Sequence, residues 1–296
     1  MGIGPSRVTN PTHFEPTHFE VVAVGSYAAA MAHPITTVDS FTTEPFAGNP
    51  AGVCLLDHPT TVEWMQAVAG ELNLAETAFA VRRDDGDHDL RWFTPTGHEV
   101  DLCGHATLAT AHVLGGAGRF HTRSGLLTCT LGVHDMIEMD FPARPLRPVA
   151  DPPDWAAALG VDPAAIVQVW DDGPGWGMVE LASPDAVRKV EPDFAAIASL
   201  SDGILVVAPG DQDGVDSVSR MFAPGVGIDE DPVTGSSFTT IGPWLAQRTG
   251  GTMFVGEQAS ARGGTVGMRV EGDRVVVIGR AVTVIEGTIA SDPPRA

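Results

Sequence analysis

The chain has 296 residues, 43 % hydrophobic and 19 % charged, with Lys+Arg 17 against Asp+Glu 38 and a net charge of −21. That acidic excess repels phosphate backbones and anionic lipid and argues against nucleic-acid or membrane partners. Its three cysteines, Cys54, Cys103 and Cys129, form no CxxC spacing and no disulfide framework, which fits a reducing, cytoplasmic setting.

Residues 1–34 are unlike the rest. A tandem Pro-Thr-His-Phe-Glu (11–15 and 16–20) precedes a weakly apolar stretch that ends at His33. The stretch lacks a basic leading region, so a loosely docked extension is expected here, not a secretory signal. Ile35 to Asp39 alternates as a strand does, and Phe46 to Pro50 is a turn before the apolar strand Ala51 to Leu56. Val62, Met65, Val68, Ala69 and Leu72 have helical spacing, with Thr60 or Thr61 as cap. Short strands follow at 74–81, carrying Glu76, and at 90–93. Ala106 to Leu114 reads as a helix of small and apolar residues, buried on all sides. The proline-rich stretch 142–153 is the best linker, separating an N-terminal domain at 35–145 from a C-terminal one at 150–280. Beyond it come strands at 203–207 and 221–222, then a second small-residue helix, 236–247, which Pro243 should kink or shorten. Strands at 275–278 and 281–285 close the chain. The whole reads as strand-rich α+β with one central helix per half.

Two stretches carry the same text. Arg91-Trp92-Phe93-Thr94-Pro95 leads through Glu99 to Gly104; Arg220-Met221-Phe222-Ala223-Pro224 leads through Glu230 and Asp231 to Gly235. This is an internal duplication. Each copy feeds a strand through a glycine turn into a helix N-terminus, and two such termini facing each other make a site for a small anionic substrate. The backbone amides of Gly104, Gly235 and Ser236 would hold its carboxylate.

Six phrases in order resemble the phenazine-biosynthesis PhzF-like isomerase family, part of the diaminopimelate-epimerase superfamily. They are Val38 to Phe41, Phe46 to Ala51, Leu74 to Phe79, Arg91 to Pro95, Cys103 to Thr107, and Asp231 to Ser236. The resemblance spans about residues 35–290. It implies two pseudo-symmetric domains, each a curved sheet around a central helix, with the last strand (281–290) returning to the first domain. It also implies an active site between the domains, no cofactor and a homodimer. In the family, a glutamate at the position of Glu76 shuttles a proton, supported by a histidine and an aspartate matching His105 and Asp231. Burial brings a carboxyl pKa up toward the operating pH, as a general base requires, and the helix N-terminus should lower that of His105. Asn49 is either a substrate ligand or an Asn-Pro turn residue.

Cys103 sits where racemases of the superfamily carry one of two thiols. The second half offers no partner cysteine, so Cys103 is read as a small buried residue. Three departures bear on the pocket. Ala75 stands where a serine often precedes the glutamate, the stretch after Gln258 lacks an arginine at Gly264 to Gly267, and Pro243 interrupts a helix. His98, His105 and His112 make no metal triad, so no metal is expected. The expected activity is therefore a cofactor-independent isomerase of specialised, phenazine-type or modified-proline metabolism. Its rivals are an α-carbon epimerase and a non-catalytic binding protein.

Overall fold

A computed structural model describes residues 33–171, 176–291 and 293–295. The extension read at 1–34 lies outside the described residues up to 32, and His33 and Pro34 already belong to the first strand. The first half contains β1 (His33–Ser40), β2 (Asn49–Leu56), α1 (Val62–Leu72), β3 (Glu76–Arg82), β4 (His88–Phe93), β5 (Glu99–Val100), α2 (Gly104–Val113), β6 (Gly118–Thr122), β7 (Gly125–Leu131) and β8 (Ile137–Pro142). After β9 (Arg147–Pro148) and α3 (Trp155–Leu159), the second half contains β10 (Ile166–Asp171), β11 (Gly177–Leu181), α4 (Pro184–Arg188), α5 (Phe194–Leu200), β12 (Ile204–Pro209), β13 (Ser217–Ala223) and β14 (Ile228–Asp231). It continues through α6 (Phe238–Thr249), β15 (Met253–Gln258), β16 (Gly264–Glu271), β17 (Arg274–Gly279) and β18 (Ala281–Ile289).

The duplication is visible strand by strand. In the first half β2 pairs antiparallel with β1 and parallel with β3, β4 pairs antiparallel with β3 and β5 and parallel with β6, and β6, β7 and β8 meander. In the second half β10 to β17 repeat the same pairings in the same order and sense. The halves are then laced together. β8 pairs antiparallel with β17, and β18 crosses back onto β1 over its whole length. Part of the proline-rich stretch is itself a strand, since β9 pairs with β10 as β18 does with β1.

The repeated Arg-x-Phe text has a structural meaning. Arg91 donates to both oxygens of Glu99, at 2.7 and 2.6 Å, and Arg220 does the same to Glu230, at 2.7 and 2.9 Å. Each guanidinium also lies over the phenylalanine two residues on, 5.2 Å from the Phe93 ring centre and 4.8 Å from that of Phe222. A planar fork on a carboxylate pins the hairpin that leads into each glycine turn.

α2 forms because small residues let strands approach from every side. Its residues from His105 to Ala111 are all buried, and it packs on β1, β2, β3, β8 and β18. One helix reaches strands so far apart in the pairing order only if the sheet curves around it. α6 holds the equivalent place against β15, β16 and β17, and both helices feed one apolar core through Leu108, Ala109, Ile241 and Trp244. Pro243 does not end α6, which continues to Thr249. The Thr239 carbonyl, which would lack its donor at Pro243, accepts instead from the Arg144 amide at 3.0 Å.

Candidate active site

Glu76 is the first residue of β3, a strand hydrogen-bonded on both sides, so it is not an edge-strand glutamate. Only 8 % of its surface is exposed. It faces a cavity of about 300 Å³ walled by Cys103, Gly104 and His105 from the first half and by Trp176, Met221, Asp231, Gly235 and Ser236 from the second. Across the cavity floor the two glycine turns meet backbone to backbone: a Cβ placed on Gly104 would come within 3.6 Å of the Gly235 Cα. That is an ordinary contact distance, whereas a Cβ on Gly235 would come within 3.1 Å of the Phe41 ring, a tight fit. Neither residue has a positive φ. The first amides of a helix have no intrahelical acceptor; Gly104, which opens α2, and Gly235 and Ser236, in the 3-10 turn that leads into α6, lie in the cavity wall.

The electrostatics follow from burial. Desolvation, with Asp231 adding its charge, pushes the Glu76 carboxyl from 4.5 up to about 8. His105, 5 % exposed, is pushed down from 6.5 to about 3 by burial. The expected direction holds, but its cause is desolvation. At neutral pH the pair is therefore a protonated carboxyl beside a neutral imidazole, with Nε2 of His105 3.2 Å from Oε2 of Glu76. Nε2 has no aligned hydrogen-bond partner. Asp231, whose carboxyl is also raised by burial, is held on one oxygen by Asn49 Nδ2 at 2.8 Å and on the other by the Thr234 hydroxyl.

His105 has a consequence for acid stability. Its folded pKa lies below the unfolded one, so the unfolded chain binds the extra proton. The stability from keeping it neutral is complete above about pH 6.5 and drains away as pH falls toward 3. A His105→Gln variant should lose less stability than wild type between pH 7 and pH 4 in urea melts. Parallel losses would show that His105 does not set the acid limb.

The protein-family model for phenazine biosynthesis-like protein matches residues 38–287. The chain belongs to this family. An uncharacterized isomerase of Pseudomonas aeruginosa is 45 % identical over 263 residues, 86 % of this chain and 98 % of that one. A crystal structure of a PhzF-family phenazine biosynthesis protein from Enterococcus faecalis superposes with a TM-score of 0.81 at 37 % identity, covering 88 % of this chain and all of that one. A hydroxyproline epimerase from Agrobacterium vitis superposes at 0.55 with 11 % identity over 90 % of this chain and 94 % of its own, which shows a shared fold. At the family level this chain is PhzF-like, among relatives named as isomerases.

Within this family member, Glu76, His105, Asp231, Gly104, Gly235 and Ser236 converge on one cavity. Asn49 does not line it. Fully buried, its Nδ2 donates to Asp231 and, at 2.8 Å, to the Val233 carbonyl, and it lies 3.3 Å from His105 Nδ1. It stands as a strut behind the site, holding the Asp231 loop. Glu230 is held by Arg220, which leaves Asp231 as the acid facing the cavity.

Three further residues adjoin the site. Cys103 is buried, as read from the sequence, and its Sγ lies 3.5 Å from His105 Nδ1 beside Glu76. Gln258 accepts from the Thr234 amide and donates to the Asp231 carbonyl, fixing the acid's loop. An arginine does follow Gln258, at 262 and not within 264–267, and it donates to Asp39 and to the carbonyls of Ala47 and Gly48. Thus the loop after β15 and the Phe46–Pro50 turn are tied together. Only the one-letter run Gln-Ala-Ser-Ala-Arg signalled it, with the arginine offset from where it was sought.

Proposed function

We propose that this protein is a cofactor-independent isomerase that moves a proton, and with it a double bond, in a small cyclic or conjugated amino-acid-like carboxylate. A step of this kind belongs to phenazine-type or modified-proline metabolism. The observation that carries the reading is a buried glutamate with its pKa near 8, facing a cavity floored by two helix N-termini. A carboxyl poised there takes a proton from carbon and returns it at similar cost. The free amides of Gly104, Gly235 and Ser236 suit the substrate carboxylate, and neutral His105 suits hydrogen bonding without repelling a cationic amine. Asp231, across from Glu76, suits that amine. Among the described residues no Lys or Arg lines the cavity, so the amides are the anion-binding groups those residues offer.

Ionised Glu76 is the reactive form, so the rate should climb with pH and level off above about 8. Incubating ring-unsaturated amino carboxylates with the enzyme in D₂O and following them by NMR is the test. The expected result is deuterium at a carbon that gains a hydrogen as the double bond moves. Deuterium at the α-carbon with inversion and no bond shift would mark an epimerase. A ligand that binds in the cavity and exchanges no carbon-bound hydrogen would leave a binding protein.

A further inference from the structure

The cavity wall contains a group whose chemistry goes beyond a general base. Glu76, Cys103 and His105 each present one ligand atom, and the three atoms lie within 4.8 Å of one another. They are a carboxylate, a thiol and an imidazole, all on residues less than 9 % exposed. Ligands about 2.0–2.3 Å from a common tetrahedral ion stand roughly 3.3–3.7 Å apart. His105 Nε2 and Glu76 Oε2, at 3.2 Å, are already near that spacing, and Nε2 is a buried nitrogen with no aligned partner. Cys103, the N-cap residue of α2, and His105, in its first turn, are two residues apart, while Glu76 comes from β3, so two of the ligands rest on packed elements and the third on the residue that caps one.

We propose that Glu76, Cys103 and His105 form a binding site for a divalent transition metal of the zinc and cobalt type, open to the substrate cavity on its fourth side. The donor set selects the metal: thiolate with imidazole prefers zinc, cobalt or copper over magnesium or calcium, which take oxygen ligands. Charge balance favours it as well. Binding M²⁺ releases the Cys103 thiol proton and the Glu76 carboxyl proton, and two anions with a neutral imidazole then leave the buried cluster uncharged. The other titratable groups facing it are Asp231 from β14 and His98 ahead of β5. The other such cluster among the described residues, Asp85, Asp87 and His121, holds no thiol, and Asp87 is already engaged by Arg119. A metal on the trio would hold the Glu76 lone pair away from any substrate, so the ion acts as a blocker of the cavity. The site stands on the positions of three side chains and does not depend on which reaction the cavity performs.

The test is Co²⁺ titration of chelator-treated full-length protein at pH 8, followed by absorption, with no substrate present. Wild type should develop a thiolate-to-cobalt charge-transfer band and strong tetrahedral visible bands that saturate at one equivalent. One equivalent of Zn²⁺ should bleach them, since zinc binds such sites more tightly than cobalt. Cys103→Ser should abolish the charge-transfer band, and Glu76→Gln should weaken Co²⁺ affinity by at least about tenfold. A wild type that shows no thiolate band at excess Co²⁺ overturns the proposal without any variant. So does a band that survives Cys103→Ser, which would place the thiolate at Cys54 or Cys129. If Cys103→Ser does not fold, Glu76→Gln decides, and unchanged affinity there overturns the site.

Discussion

Replacing Glu76 by glutamine should lower turnover by about 10²–10⁴-fold and at the same time make the protein more stable in alkali. The first effect is the loss of a positioned general base, with ligand binding retained because an amide fills the same space. The second comes from the same burial that makes Glu76 useful. Its folded pKa of about 8 lies above the unfolded value of 4.5, so the folded chain holds the proton more tightly. Below about pH 4.5 both states are protonated and this linkage costs nothing. As pH rises through the window to 8 the penalty grows, and above 8 it is complete. Glutamine carries no such penalty. The stability difference between Glu76→Gln and wild type should therefore favour the variant more at pH 9 than at pH 5, in paired denaturant melts. Turnover within a few-fold of wild type would move the base to Asp231 or His105. An equal stability difference at both pH values would mean that Glu76 is not desolvated as found here.

Asn49→Leu should produce the largest loss of stability from a single polar group. Leucine has nearly the shape of asparagine and donates nothing. The Val233 carbonyl then has no donor from Asn49, and the buried Asp231 carboxylate loses the hydrogen bond to one of its oxygens. A hydrogen bond to a charged group contributes roughly 1.5–3 kcal/mol and an orphaned buried acceptor costs about 1–3 kcal/mol. The sum is about 2.5–6 kcal/mol, a fall in Tm on the order of 5–20 °C for a chain of this size. The Asp231 pKa should rise further as well, because the Asn49 amide is one of the groups that lower it. Scanning calorimetry at pH 7 reads the first effect. A change under about 2 °C would mean that the strut between β2 and the Asp231 loop is not structural.

The residues that carry the chemistry differ in how legible they were. Glu76 stood out as a lone acid among apolar neighbours, and Gly104 and Gly235 as equivalent points in a repeated text. Asn49 was named for this neighbourhood, as a ligand or a turn residue, and its hold on Asp231 was not legible. An Asn-Pro pair reads as a turn or a ligand, and nothing in its sequence context shows an acid 182 positions away. Cys103 was read as filler because the second half has no matching thiol. Its closeness to Glu76 depends on the start of α2 packing against the start of β3, a distance that sequence spacing does not encode.

By itself the sequence determined part of the local elements, the duplication and the family, and it left the strands and short helices of 118–142, 155–200 and 253–271 unread. Its readings rest on short-range rules: alternation for β1 and β2, helical spacing and the Thr61 cap for α1, small-residue runs for α2 and α6, and the repeated Arg-x-Phe-x-Pro text. Only the tertiary structure decided where the ends of those elements meet. It crossed β18 back onto β1, paired β8 with β17, and sent the Arg144 amide to the Thr239 carbonyl so that α6 continues through Pro243. It also buried Glu76 deeply enough to raise its pKa. Each of these is a contact between residues far apart in the chain. Their energy comes from desolvation and hydrogen-bond pairing in a closed space, and that space exists only once both halves have folded around their central helices.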